Sequence, residues 1–146
     1  MSILRTDNEA DGVEILKLVI ETTHYYREMA NVLKDEPLTH TLESIANERA
    51  TYIEPFQNLV KQLDELPAPP DPDKELIQKI GGELRKLFSA DSKNAILDKC
   101  LHEDEKLAEE VKNTKLGEKS AEFEKLINAL DAELNKTKAL LQTLKD

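Results

Sequence analysis

A chain of 146 residues is the size of one domain and long enough to bury a core; 34% of it is charged, 4% aromatic, and the net charge is −10. Four Gly, six Pro and no Trp leave little material for hairpins and argue against a sandwich or barrel. The acidic balance disfavours nucleic acid or an anionic membrane as main partner, because either needs a Lys/Arg-rich face, and the lone Cys100 excludes an internal disulfide.

In chain order, residues 1–10 read as a tail and 11–146 as a single helical domain. The tail has no apolar core of signal-peptide length, and the best apolar run, Ile15 to Ile20, is interrupted by Lys17. No membrane span is expected, and a cytoplasmic protein is the default. The first helix is predicted to open at Asp11-Gly12-Val13-Glu14, where Asp11 can cap and Glu14 can reach back. Ile15, Leu18/Val19, Thr22, Tyr25/Tyr26, Met29 and Val32/Leu33 then recur on one face. The second helix, led by Pro37, runs on Leu38, Leu42, Ile45, Arg49, Tyr52, Phe56, Leu59/Val60, Leu63 and Leu66. Pro55 inside it has no N–H and collides with the Thr51 carbonyl, which predicts a kink or bulge.

Leu66-Pro67-Ala68-Pro69-Pro70-Asp71-Pro72-Asp73 is too proline-dense for helix and reads as a stiff connector. A short helix is predicted at residues 73–88 on Leu76, Ile77, Ile80, Leu84, Leu87 and Phe88, weakened by Gly81-Gly82. The third long helix follows on Leu97, Cys100/Leu101, Asp104, Leu107/Ala108 and Val111, with Gly117 as its C-terminal cap. The last carries Phe123, Leu126/Ile127, Leu130, Leu134, Thr137, Leu141 and Leu144.

Residues 67–92 are far more than the ~2–8 needed between antiparallel neighbours. Extended Pro-rich chain covers roughly 25 Å and the short helix roughly 24 Å, enough to run the length of a second helix of roughly 43 Å. The expected fold is therefore an all-α, four-helix bundle in which this crossover makes the second and third long helices parallel. That is the ferritin-like arrangement. The simpler alternative is an up-down-up-down bundle with a small fifth helix on one end.

Two stretches carry a family likeness. Ile45-Ala46-Asn47-Glu48-Arg49-Ala50-Thr51-Tyr52-Ile53 resembles the second helix of ferritin-like proteins, where an acid–Arg pair precedes a His. Ala95-Ile96-Leu97-Asp98-Lys99-Cys100 and the acids after it resemble their third long helix. The whole pattern, over about residues 11–145, is similar to an uncharacterised bacterial branch of that superfamily, a domain-of-unknown-function group. The resemblance implies the fold and raises the question of a metal pair.

A carboxylate-bridged pair in such a bundle needs about four inward acids and two His, the latter on Glu-x-x-His motifs. Glu48 matches the acid of the second helix, but Thr51 stands where its His belongs, and the last helix has Leu130 at a central inward position and no Glu-x-x-His. Glu21-Thr22-Thr23-His24 spells the motif, yet with Ile15 at 0° Glu21 falls near ~240° and His24 near ~180°, away from the core stripe. His40 and His102 also fall off their stripes. Glu21, Glu48 and Asp104 are the residual metal candidates, no cofactor is expected, and no catalytic residue is evident.

The polar residues at the stripe centres are Thr22, Arg49, Asp104 and Thr137, which predicts an Arg49–Asp104 ion pair near mid-bundle; the alternative is that Arg49 reaches solvent. Tyr25, Tyr26 and Tyr52 read as core aromatics and Cys100 as inert packing. Val13, Leu16 and Ile20 fall near ~160°, ~100° and ~140°, opposite the core stripe. A second apolar face receives either the crossover helix or another subunit, and a homodimer in which first helices meet is the expectation. The functional reading is a non-catalytic, homo-oligomeric structural or interaction protein. A ferritin-like metal-binding protein or oxidoreductase is the alternative, and a small-ligand carrier with a pocket opened at Pro55 is the third.

Overall fold

A computed structural model describes residues 7–33, 36–62, 78, 82, 93–114 and 121–145, and among them there is no strand. The helices are α1 (Asp7–Val32), α2 (Glu36–Ala50), α3 (Ile53–Gln62), α4 (Lys93–Asn113) and α5 (Ala121–Leu144). None of the described helices is long and apolar enough to cross a membrane. Of the short helix expected at 73–88, only Gln78 and Gly82 are described, both helical. The rest of the crossover 67–92 and the Gly117 cap lie outside the described residues.

α1 begins at Asp7 rather than Asp11, so the expected tail contributes a helical turn. The apolar period could not see that turn because Asp7, Asn8 and Glu9 are polar. Gly12 inside a helix costs about 1 kcal/mol relative to Ala, offset by the buried Ile15 and Leu16 that follow. At the other end the Thr39 hydroxyl donates to the Leu33 carbonyl at 3.0 Å, satisfying an acceptor that helix termination leaves without an intrahelical donor.

The second leg of the bundle is bent where Pro55 requires it. Pro55 cannot donate to the carbonyl of Thr51, and helical hydrogen bonding breaks at Thr51 and Tyr52, between α2 and α3. There the amides of Thr51 and Tyr52 donate three residues back, to Glu48 and Arg49, both at 3.1 Å, the tighter turn typical of a helix end. The break leaves Arg49 in the last turn of α2, where its positive charge faces the negative end of the helix dipole.

Among the described residues the core consists of two apolar clusters. One joins Ile15, Leu16, Leu18, Val19 and Ile20 of α1, Phe56 and Val60 of α3, Leu107 and Val111 of α4, and Phe123, Ile127 and Leu130 of α5. The other joins Tyr26 and Met29 of α1, Leu38 and Leu42 of α2, Leu97 and Cys100 of α4, and Leu141 of α5. α1 and α5 therefore run from the first cluster to the second, while the α2–α3 leg and α4 both run from the second to the first.

The expected outward apolar face of α1 is corrected. Leu16 and Ile20 are 0% and 3% exposed within the single chain, and half-buried Val13 packs against the same cluster. The second apolar face is therefore covered within the chain and not by a second copy: α1 packs against α2, α3 and α4, and Ile15, Leu16, Leu18, Val19 and Ile20 are all buried. A dimer through first helices has no exposed Leu16 or Ile20 to use. Leu16→Ala is accordingly expected to cost about 2–5 kcal/mol of stability, as for a large-to-small core change, measured by urea unfolding, while the sedimentation coefficient of the native protein stays unchanged.

Candidate functional site

Between the two apolar clusters lies a buried polar layer to which every leg of the bundle contributes. α1 brings Thr22 and Tyr26, α2 brings Arg49, α4 brings Asp104, and α5 brings Glu133 and Thr137, all of them buried. Their positions follow from helical spacing: Thr22 and Tyr26 are one turn apart on the core stripe, as are Glu133 and Thr137.

The Arg49 guanidinium is wholly enclosed, at 0% side-chain exposure. Its Nε donates to Glu133 Oε1 at 2.6 Å and Nη2 to Glu133 Oε2 at 2.9 Å. On its other edge Nη1 donates to Asp104 Oδ1 at 2.9 Å and Nη2 to Asp104 Oδ2 at 3.1 Å. Nη1 also donates to the Thr22 hydroxyl at 2.9 Å. A guanidinium has five N–H donors, and all are used, two bidentate carboxylate pairs among them.

The acceptors are held in turn. The Tyr26 hydroxyl donates to Asp104 Oδ2 at 2.7 Å and the Thr137 hydroxyl to Glu133 Oε2 at 3.0 Å. Thr22 spends its own proton on the Val19 carbonyl at 3.2 Å, leaving oxygen lone pairs for Arg49. The Tyr26 ring centroid lies 5.6 Å from the guanidinium carbon, within cation–π reach. Among the described residues no buried side-chain nitrogen or oxygen lacks a partner.

Burial works against the charge of Arg49, but Asp104 and Glu133 outweigh it and hold the guanidinium more firmly protonated than in water. Burial, with Asp104 adding to it, pushes the Tyr26 phenol well above its ordinary range, so Tyr26 stays a donor. Burial likewise pushes the Cys100 thiol well up. Its Sγ donates to Met29 Sδ at 3.2 Å, an arrangement that suits packing and not nucleophilic chemistry.

The predicted Arg49–Asp104 pair is present, with a second carboxylate that the sequence reading missed. Glu133 had a legible signal: it sits three residues after Leu130 and four before Thr137, on the line of the core stripe. Tyr26 was read as packing alone, although it bonds Asp104. The three metal candidates are not brought together. Only Asp104 is in the core; Glu48 is on the surface against Lys136 Nζ at 2.6 Å, and Glu21 is half-buried near Lys17, Glu14 and Glu103. Among the described residues no group of three or more His, Cys, Asp or Glu could hold a metal ion. The polar layer does not fit a carboxylate-bridged pair, because its two acids spend their oxygens on Arg49, Tyr26 and Thr137 and no His joins them.

Fold and site together define a helical bundle closed around a guanidinium–dicarboxylate cluster. Neither the protein-family models, nor the curated proteins, nor the solved structures compared with the chain gave a match.

Two outcomes are expected. Arg49→Ala should cost about 3–5 kcal/mol by stranding buried charge. Replacing Arg49 and Asp104 together by apolar residues should not restore stability, because Glu133 is then unpaired; replacing all three should recover most of it, as read by urea unfolding. At Glu21, desolvation by burial raises the carboxyl pKa in the folded state. A raised folded pKa means the group favours folding at low pH and that this contribution is lost as pH rises through the folded value. Glu21→Gln should therefore be stabilising at neutral pH, and the gain should vanish below the ordinary carboxylate range, measured as Tm against pH.

Proposed function

We propose that the protein is a non-catalytic ferritin-like helical bundle, a structural or interaction protein whose mid-core is filled by Arg49 instead of metal. The observation that carries this reading is the saturation of Arg49: each of its N–H groups meets an oxygen. A substrate or metal would have to displace a paired, buried charge to reach Asp104 or Glu133. The ferritin-like arrangement is supported by the shared direction of the α2–α3 leg and α4. Chain leaving α3 at one end of the bundle must enter α4 at the other, and residues 67–92 are long enough for that path. Leu16 and Ile20 are buried within the chain and offer no surface to a dimer through first helices.

A second reading, carriage of a small apolar ligand, has one observation in its favour. A groove of about 480 Å³ opens beside Pro55 between α3 and α5, with Leu59, Leu126 and Ala129 in its lining. Apolar ligand retained in native mass spectra, and lost on Ala129→Glu, would support it.

The test of the main reading is metal analysis of the purified protein with assay of ferrous-iron oxidation. The expected result is no stoichiometric iron and no oxidation above the buffer rate; two tightly bound equivalents of iron would overturn it.

A further inference from the structure

Each acceptor around Arg49 has a further bond that does not involve Arg49. Tyr26 holds Asp104, Thr137 holds Glu133, and Thr22 is tied to its own helix through the Val19 carbonyl. These acceptors are arranged around the edge of a flat group, two carboxylates presenting both oxygens to adjacent sides and one hydroxyl closing a corner. A metal ion would instead need oxygens converging on one point at about 2.0–2.6 Å. The cage also holds one more carboxylate than it has cations, so an emptied cage is strongly anionic.

We infer that Thr22, Asp104 and Glu133 form a preorganised receptor for one planar guanidinium cation, which the native chain supplies to itself through Arg49. This inference deepens the proposed function and rests on its reading of the mid-core as a side-chain cation site. Truncating Arg49 leaves space for a free guanidinium ion, and a cavity of about 80 Å³ between α4 and α5 reaches Asp104, with Glu105, Asn135 and Lys138 also in its lining.

The experiment is thermal unfolding of Arg49→Ala in guanidinium chloride at tens of millimolar, far below denaturing concentrations, against equal sodium, methylammonium or manganese chloride. Guanidinium alone should raise Tm by more than about 2 °C, with one-site saturation, while the unaltered chain gains nothing. Adding Glu133→Gln to Arg49→Ala should abolish the response. Where Arg49→Ala does not fold by itself, recovery of helical circular dichroism on adding guanidinium reads the same property. Equal responses to guanidinium and sodium, or a larger one to manganese, would overturn the inference. Iron taken up by the unaltered chain is the separate result that overturns the proposed function.

Discussion

The bundle depends on how it accommodates a full positive charge in its middle. Removing a guanidinium or a carboxylate from water costs several kcal/mol per ion, and three such ions lie in one layer here, with Arg49 at 0% exposure. The layer is tolerable only because every donor is met and both carboxylates are oriented by hydroxyls from Tyr26 and Thr137. No single helix could supply this. Arg49 on α2 needs Asp104 from α4 and Glu133 from α5, while Thr22 and Tyr26 of α1 complete the shell. Sliding one leg by a turn would break several of these bonds at once. The cluster thus fixes the register of the legs more than it adds net stability, which the apolar clusters on either side provide.

The backbone irregularity at Thr51 and Tyr52 belongs to the same arrangement. Pro55 ends α2 immediately after Arg49, so the residue that carries the buried charge also sits at the favourable, negative end of its helix. The Arg49 carbonyl meanwhile accepts from the Tyr52 amide, and the Tyr52 hydroxyl donates to the Ala129 carbonyl at 3.1 Å. The bend therefore ties the second leg to α5 just beside the layer. Sequence, local geometry and buried electrostatics meet at this one turn.

Much of this was legible in the residues. Helical periodicity placed the long helices, the missing N–H of Pro55 placed the break, and Arg49 and Asp104 stood out as charges on otherwise apolar stripes. Glu133 stood out less, because it is one more Glu in a helix with many surface acids; its signal is positional, in its spacing from Leu130 and Thr137. For Leu16 and Ile20 the residues showed a second apolar face but not what covers it. A helical wheel sorts residues into one buried and one exposed side, and α1 is packed against α2, α3 and α4. How many faces of a helix are covered is a tertiary fact that no single-helix period contains.

The most direct test of a saturated, buried guanidinium is nitrogen-15 NMR of the Arg49 side chain in the native protein. An enclosed guanidinium bonded on all edges cannot rotate freely about its C–N bonds or exchange protons quickly with water. Separate Nη–H resonances, protected from exchange and in nuclear Overhauser contact with Thr22 and Tyr26, are the expected spectrum. A single averaged Nη–H line that exchanges at the rate of an exposed arginine would contradict the account.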